Sequence, residues 1–359
     1  MLTYKLIFIF NLLLSILHFD KKTVIKQFFP FVAFYLIFLV GFRYDSVDYD
    51  SYLWLYNITT FNDISFPFYD IGTGTTGSEF IFATLSSFFN AIGFPFYVFS
   101  LFIAFVSLSL KFYVFNKVSP YLSLSLLIYI SVFIGKDLGQ VRNGLAAAIV
   151  CYSIFSIYDK KFYHFFFYVL LASFVQVFAV IALPLYFLYH FNIRTKNLFL
   201  YLLLFSSILI SLFGGAFLFI EPLLQIIGGD VYAKVYGYAT SESRSNLNPF
   251  GLGNLFFLAI GLYSIFKSNE IKASSPYAHV LILFLVFGTS LYTAFADFSI
   301  LAFRSFELFS AMAITILLPI YVKLFKGYNK LFVILIIYIF CFYTFTINLD
   351  QIYEYKMSF

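Results

Sequence analysis

Lysine, aspartate, glutamine, arginine and asparagine crowd into the stretch Gly135-Lys136-Asp137-Leu138-Gly139-Gln140-Val141-Arg142-Asn143-Gly144, which lies between two long apolar runs and leads into Leu145-Ala146-Ala147-Ala148. Small residues at that point open a helix. Arg142 then falls at or just inside the first turn, where free N–H groups and the partial positive charge of the helix end add to a guanidinium. That combination suits an anion, and the chemistry it points to is the handling of a phosphate at a membrane surface. A membrane-edge arginine that snorkels to headgroups would look the same in isolation, so the weight falls on the other charged residues.

Three further stretches could contribute. Gly41-Phe42-Arg43-Tyr44-Asp45-Ser46-Val47-Asp48-Tyr49-Asp50-Ser51-Tyr52 sets three carboxylates and three tyrosines behind an arginine. This density suits recognition of a hydroxyl-rich sugar, with one carboxylate left over as a general base; an ordinary acidic loop would also carry it. Glu79 opens an apolar run, where a carboxylate is costly without a partner. Further on, Arg304 and Glu307 stand three residues apart on one helical face of an otherwise apolar run. Each such charge costs about 2.5–3.5 kcal/mol near a helix centre on insertion scales, so the two are either satisfied internally or functional. Gly72-Thr73-Gly74-Thr75-Thr76-Gly77 matches G-x-G-x-x-G, but no strand is expected before it and no βαβ unit around it. It reads as a lid or linker, not a nucleotide fingerprint. His18, His164, His190 and His279 are scattered, and Cys151 and Cys341 lie in separate apolar runs. Neither a metal site nor a disulfide framework is implied.

The elements that must position these residues are membrane helices. Apolar residues make up 62% of 359 positions and charged ones 11%, and the apolar residues come in runs of about 15 to 22, which excludes a soluble globular domain. The fold class expected is an all-α polytopic membrane protein, one integral membrane domain over 1–359, with about ten to twelve spans. Lysines at 21, 22, 26, 111, 117, 160, 161, 196, 267, 272, 323, 326 and 330 mark cytoplasmic turns by the positive-inside rule. Residues 43–78 and 214–250 then form two large extracytoplasmic loops. An outer loop near Ser78 and an inner turn at Lys111 require an odd number of crossings, yet two apolar runs separate them, so one run is re-entrant or interfacial. The segment 162–189, broken near Gln176 and Pro184, has cytoplasmic charges on both sides and is expected to enter the membrane and return. Arg43, Arg142, Arg244 and Arg304 all fall on or near the outer side. Arginine's planar fork bonds phosphate oxygens bidentately, which marks these residues as candidates for gripping a diphosphate.

Taken in order, Arg43 with Asp48-Tyr49 and Tyr52, then Glu79-Phe80, then Gln140-Val141-Arg142-Asn143-Gly144-Leu145-Ala146, then Asp159-Lys160-Lys161 before a broken helix pair, then Arg304 followed by a span, resemble the EpsG/Wzy-type bacterial polysaccharide polymerases. The resemblance runs over most of the chain. Arg43, Asp48, Tyr49, Tyr52, Arg142, Gly144 and Ala146 carry over by position. Asn143 stands where the family usually has glutamine, and Ser46-Val47 replace its Gly-Thr. Val175-Gln176-Val177 occupies the place where the family often has a histidine, and Gln176 can hydrogen-bond a headgroup but cannot act as a base at neutral pH.

The resemblance implies a GT-C-like, metal-independent glycosyltransferase in the bacterial inner membrane that joins undecaprenyl-diphosphate-linked oligosaccharide repeat units on the outer side, for O-antigen, capsule or exopolysaccharide. On this reading Arg142 and Arg304 stabilise the leaving diphosphate. Asp48, or failing it Glu79, takes the proton of the attacking hydroxyl, and Arg43, Tyr49, Tyr52, Lys136, Gln140, Gln176 and Glu307 bind substrate. No cofactor is needed, because the carrier lipid activates the sugar. Partners are the lipid-linked oligosaccharides and membrane lipids, with a chain-length regulator as a further candidate and no nucleic acid. A lipid-linked glycan flippase, an O-antigen ligase and a structural membrane subunit are the competing readings.

Overall fold

A computed structural model describes residues 2–17, 22–44, 46, 48–60, 68–70, 76–190, 193–227, 247–349 and 356–357. Each apolar run of the sequence carries a helix. The chain begins with α1 (Leu2–Leu17) and α2 (Lys22–Gly41), then α3 (Tyr49–Ile58), α4 (Phe80–Ala91) and α5 (Phe96–Val118). Next come α6 (Leu122–Val132), α7 (Ile134–Gly139), α8 (Val141–Tyr152) and α9 (Ile154–Tyr158). A broken segment follows: α10 (Phe162–Val175), a 3-10 turn (Val177–Ala182) and α11 (Pro184–His190). Then α12 (Ile193–Leu212), α13 (Phe217–Ile227), α14 (Leu252–Phe266), α15 (Ser268–Ser274) and α16 (Ala278–Ala294) lead to α17 (Ser299–Ser305). A π-helical turn (Phe306–Ser310) joins α17 to α18 (Ala311–Leu324), and α19 (Gly327–Leu349) follows.

Among the described residues four helical stretches are long and apolar enough to cross a bilayer: Phe96–Val118, Val141–Tyr158, Ser299–Leu324 and Gly327–Leu349. Nine shorter apolar helices accompany them among the described residues. On α19, Phe332, Leu335, Ile339 and Phe342 repeat at helical spacing and are all exposed. An apolar stripe of that length is stable against lipid and not against water. The Ser299–Leu324 stretch, by contrast, is almost wholly buried at the centre of the bundle. The chain is a multi-pass membrane protein.

Two details depart from the pattern of runs. Lys111, expected to mark a cytoplasmic turn, lies inside α5 and is 0% exposed. Its charge is not at the surface because Asp137 of α7 takes it: Lys111 Nζ is 2.6 Å from both carboxylate oxygens. Lys117, in the last turn of α5, remains as a surface cation. The short partner of α5 is α4, whose 12 residues rise only about 18 Å, too little to cross about 30 Å of hydrocarbon.

The broken segment folds back on itself. Tyr186 of α11 donates its hydroxyl to the Lys160 carbonyl at 2.9 Å, and the Phe162 ring lies 5.2 Å from that of Tyr186 and 5.7 Å from that of Phe187. The start of α10 and the end of the segment therefore meet at one level, which is the geometry of a hairpin that goes in and returns. Gln176 is its break, with extended backbone and an N–H that still donates to Ala172 O.

Among the described residues there are also four short strands. β1 (Arg43–Tyr44) pairs antiparallel with β4 (Lys356–Met357), and β2 (Phe68–Asp70) with β3 (Thr76–Glu79). A strand does therefore precede the glycine-rich stretch, contrary to expectation. It pairs antiparallel with β3 and so is not the first strand of a parallel βαβ unit, the context that a nucleotide fingerprint requires. Residues 72–75 of that stretch, Arg244 and His18 lie outside the described residues.

Candidate active site: a cleft between two arginines

The chain leaves α6 at Val132, turns at Phe133, makes six residues of helix and breaks again at Gln140 before α8 begins at Val141. Glycine and glutamine at the second break end α7. Arg142 thus stands in the first turn of α8, as its spacing from the alanines suggested. The helix can approach α7 closely because residue 144 is glycine: a Cβ there would collide with the Asp137 carboxylate. That carboxylate is 3% exposed and fixed, with Lys111 at 2.6 Å, Tyr129 donating its hydroxyl at 2.5 Å and Ser107 donating at 3.3 Å. One buried ionic cluster therefore ties α5, α6 and α7 together, and α8 packs closely against it at Gly144.

A cleft of about 360 Å³ opens above this junction, lined by Asp48, Ser51, Tyr52, Leu55, Gln140, Arg142, Ser299, Ile300, Phe303 and Arg304. Three chain segments supply its walls. From α3 and the residue before it come Asp48, Ser51, Tyr52 and Leu55, at i, i+3, i+4 and i+7; from the α7–α8 break, Gln140 and Arg142; from α17, Arg304 and the turn before it. The Arg142 guanidinium lies over the Tyr52 and Phe82 rings, 5.4 and 5.8 Å from their centroids. The Tyr52 oxygen is hydrogen-bonded to Arg142, side chain and backbone; burial raises its pKa and Arg142 partly reverses that. Asp48 is half-buried, and burial raises its carboxyl above the usual range against the pull of Arg142, Arg304, Lys136 and Arg43 in that order.

Of the residues singled out from the sequence, Asp48, Tyr52, Gln140, Arg142 and Arg304 come together around this cleft. The rest sit elsewhere. Arg43 is 2% exposed and turned inward, donating to Val40 O at 2.7 Å, Ser46 Oγ at 3.2 Å and Ser100 Oγ at 3.3 Å; burial pulls its pKa down to about 10, so it stays charged. Tyr49 is buried between the rings of Tyr44 and Phe96. Gln176 is buried at the hairpin break. Glu79 ends β3, and its side chain lies outside the described residues. Glu307 does not spend its charge on Arg304. It is 1% exposed, and it takes an ion pair from Lys136 at 2.9 Å and a hydrogen bond from Asn143. Ser305 and Phe306, the residues between Arg304 and Glu307, keep ordinary helical backbone, so the i, i+3 spacing holds and it is the packing against α7 and α8 that gives the carboxylate other partners. Lys136, with its charge held there, lies 5.2 Å from the Phe303 ring.

Ser51, Leu55, Ser299, Ile300 and Phe303 were not anticipated. The helical spacing of Asp48, Ser51, Tyr52 and Leu55 was the available signal, hidden by the acidic, turn-like composition around it. Together the lining groups offer two planar cations, a carboxylate with raised pKa, three hydroxyls (Ser51, Tyr52 and Ser299), an amide and an aromatic wall. Such a set can hold an anionic phosphate ester against a polyhydroxylated group. Among the described residues no group of three or more His, Cys, Asp or Glu side chains is placed to hold a metal ion.

Comparison with known proteins bears on the same residues. The amylovoran biosynthesis protein AmsC of Erwinia amylovora is 25% identical over 305 residues, which cover 80% of this chain and 77% of that protein. No solved structure matches. The EpsG family model matches residues 26–357, a span that includes every wall of the cleft, and the chain belongs to the EpsG family.

Proposed function

We propose that this protein is a polysaccharide polymerase that joins oligosaccharide repeat units carried on undecaprenyl diphosphate, with the cleft opening on the outer side of the bacterial inner membrane. The observation that carries the reading is that Arg142 and Arg304, 162 positions apart in sequence, line one cleft together with Asp48. A diphosphate leaving group needs cations where negative charge develops, and guanidinium groups in a half-buried cleft supply it with little reorganisation. Membership of the EpsG family and the likeness to an amylovoran biosynthesis protein support the same class of chemistry. The lysine distribution supports the orientation.

The transfer is a displacement at the anomeric carbon of the donor glycan. The acceptor's hydroxyl oxygen forms the new C–O bond, the bond from that carbon to the diphosphate oxygen breaks, and its electron pair leaves with the carrier lipid. Arg142 and Arg304 take the charge that gathers on the diphosphate. The hydroxyl proton passes to Asp48, whose raised pKa makes it a better base than an ordinary carboxylate. Ser51, Gln140 and Ser299 are within the cleft to orient hydroxyls, and Phe303 offers a face for a sugar ring.

The test is reconstitution of the purified full-length protein in liposomes with lipid-linked repeat units extracted from a strain that lacks it. The expected result is a ladder of longer carrier-linked glycans, lost in Arg142→Ala. Movement of single units across the bilayer with no lengthening would overturn the proposal in favour of a transporter.

A further inference from the structure

We propose that Glu307 is a positioning residue that sets the spacing of the two cleft arginines, and through it the preference of the cleft for a diphosphate over a monophosphate. The inference rests on the reading of the cleft as a diphosphate site. Its geometric basis is separate: Glu307 makes its contacts with the two segments on the opposite side of the cleft from its own.

Glu307 follows Arg304 by three residues on the same stretch, in the π turn Phe306–Ser310. Asn143 follows Arg142 by one, in the first turn of α8. One oxygen of Glu307 receives the Asn143 amide and the other the Lys136 ammonium at 2.9 Å. A single carboxylate therefore ties the helix bearing Arg304 to both the helix bearing Arg142 and the short helix before it. The tie is buried, with Glu307 1% and Asn143 4% exposed. Water is kept from the Asn143 arm, which is held more firmly than a surface contact, while the Lys136 arm comes from a side chain 27% exposed and is the weaker of the two. The backbones on the Glu307 side are packed to the limit as well: a Cβ on Gly288 of α16 would lie 2.5 Å from Ser310 Oγ and 2.8 Å from Phe309 Cβ. With α16 pressing the π turn from behind, the length of the Glu307 tie fixes how far Arg304 stands from Arg142.

Two guanidinium forks at a fixed separation match two linked phosphoryl groups; a single phosphate can engage one fork fully or both poorly. Removing the tie lets the forks drift. It also frees the Lys136 ammonium, a point charge that attracts either phosphate form. Overall affinity need not fall, and the quantity that must change is the ratio of affinities.

The experiment is isothermal titration of undecaprenyl diphosphate and of undecaprenyl monophosphate into the purified full-length protein in detergent, for wild type, Glu307→Gln and Asn143→Ala. Wild type should favour the diphosphate by about tenfold or more, the worth of one further charge-assisted fork. Glu307→Gln should bring the ratio to within about twofold of unity, together with a lower melting temperature because Lys136 loses its partner, and Asn143→Ala should lower the ratio too. A merely structural role for Glu307 would weaken both ligands together and leave the ratio alone. If Glu307→Gln does not purify as folded protein, Asn143→Ala decides. An unchanged ratio in the folded variants overturns the tie and leaves the diphosphate site standing. A wild type that does not distinguish the two carriers overturns the diphosphate reading and the tie with it.

Discussion

The Arg142 guanidinium carbon lies 5.4 Å from the centre of the Tyr52 ring, and the Tyr52 oxygen is hydrogen-bonded to Arg142. A cation that lies over a ring and also meets that ring's oxygen is restrained on two sides, so α3 helps to aim the fork into the cleft. Lysine cannot reproduce that geometry. Arg142→Lys is expected to lower polymer formation by about 10²-fold, the usual cost of removing one donor from a site of developing charge. Tyr52→Phe, which keeps the ring, should cost far less than Tyr52→Leu. Glycan length profiling with immunoblotting of the membrane fraction checks both; a normal ladder from Arg142→Lys would place the chemistry elsewhere.

Asp48 gives a pH dependence with a definite sign. Burial raises its pKa, and the cations of the cleft, Arg142 first and Arg304 second, hold it down in part. The basic form that accepts a proton exists above that raised pKa, so turnover should be full at higher pH and fall as pH drops through it, at a pH above the ~3.9 of a free aspartate. Removing a cation favours the neutral acid. Residual activity of Arg304→Gln should therefore show its acidic limb moved to higher pH relative to wild type. Rate profiles in proteoliposomes read this directly, and a limb at the same pH in both proteins would separate Asp48 from Arg304.

The helices and the turn that carries Arg142 were legible because each has a local signature. Apolar runs report spans one by one, and the small residues after Arg142 report a helix start. What stayed hidden depends on tertiary pairing. Lys111 reads as a topology marker because its partner, Asp137, is 26 positions away, and only packing of α5 on α7 shows that the charge is cancelled inside. Arg304 and Glu307 read as a pair because they stand three apart on one helix, and only the packing of that helix on α7 and α8 shows that Lys136 and Asn143 take the carboxylate. Arg43 follows a span as Arg142 precedes one, yet the chain turns it inward onto Val40 and Ser100. Position at a membrane edge does not reveal which way a long side chain goes.

Gly144 tests the close approach of α7 and α8. A Cβ at 144 meets the Asp137 carboxylate, which cannot retreat because Lys111, Tyr129 and Ser107 hold it. Gly144→Ala should destabilise the protein by about 1–3 kcal/mol, as overpacking does. Gly253, in α14, has nothing within 4 Å of an added Cβ, and Gly253→Ala should be neutral or stabilising by about 0.5–1 kcal/mol. Thermal melts in one detergent compare the two. Equal stability of both variants would mean that the α7–α8 contact is looser than the geometry requires.

The Lys111–Asp137 pair offers the sharpest test of what holds the floor of the cleft. With both groups buried, removing one partner strands the other's charge in the bundle, a loss of about 3–5 kcal/mol, whereas neutralising both removes the desolvation cost along with the attraction. Lys111→Met leaves a carboxylate with only the hydroxyls of Tyr129 and Ser107, and Asp137→Asn leaves an ammonium facing an amide and the Phe133 ring 4.3 Å away. The double variant has no charge to strand, and the amide that replaces the carboxylate can still accept from Tyr129. Each single should therefore melt well below wild type and the double above either single, a strongly non-additive cycle. Additive losses would show that the two side chains contribute separately. Should the double recover stability without recovering polymer, the ion pair also has a part in fixing the Lys136-to-Arg142 segment, beyond its part in folding.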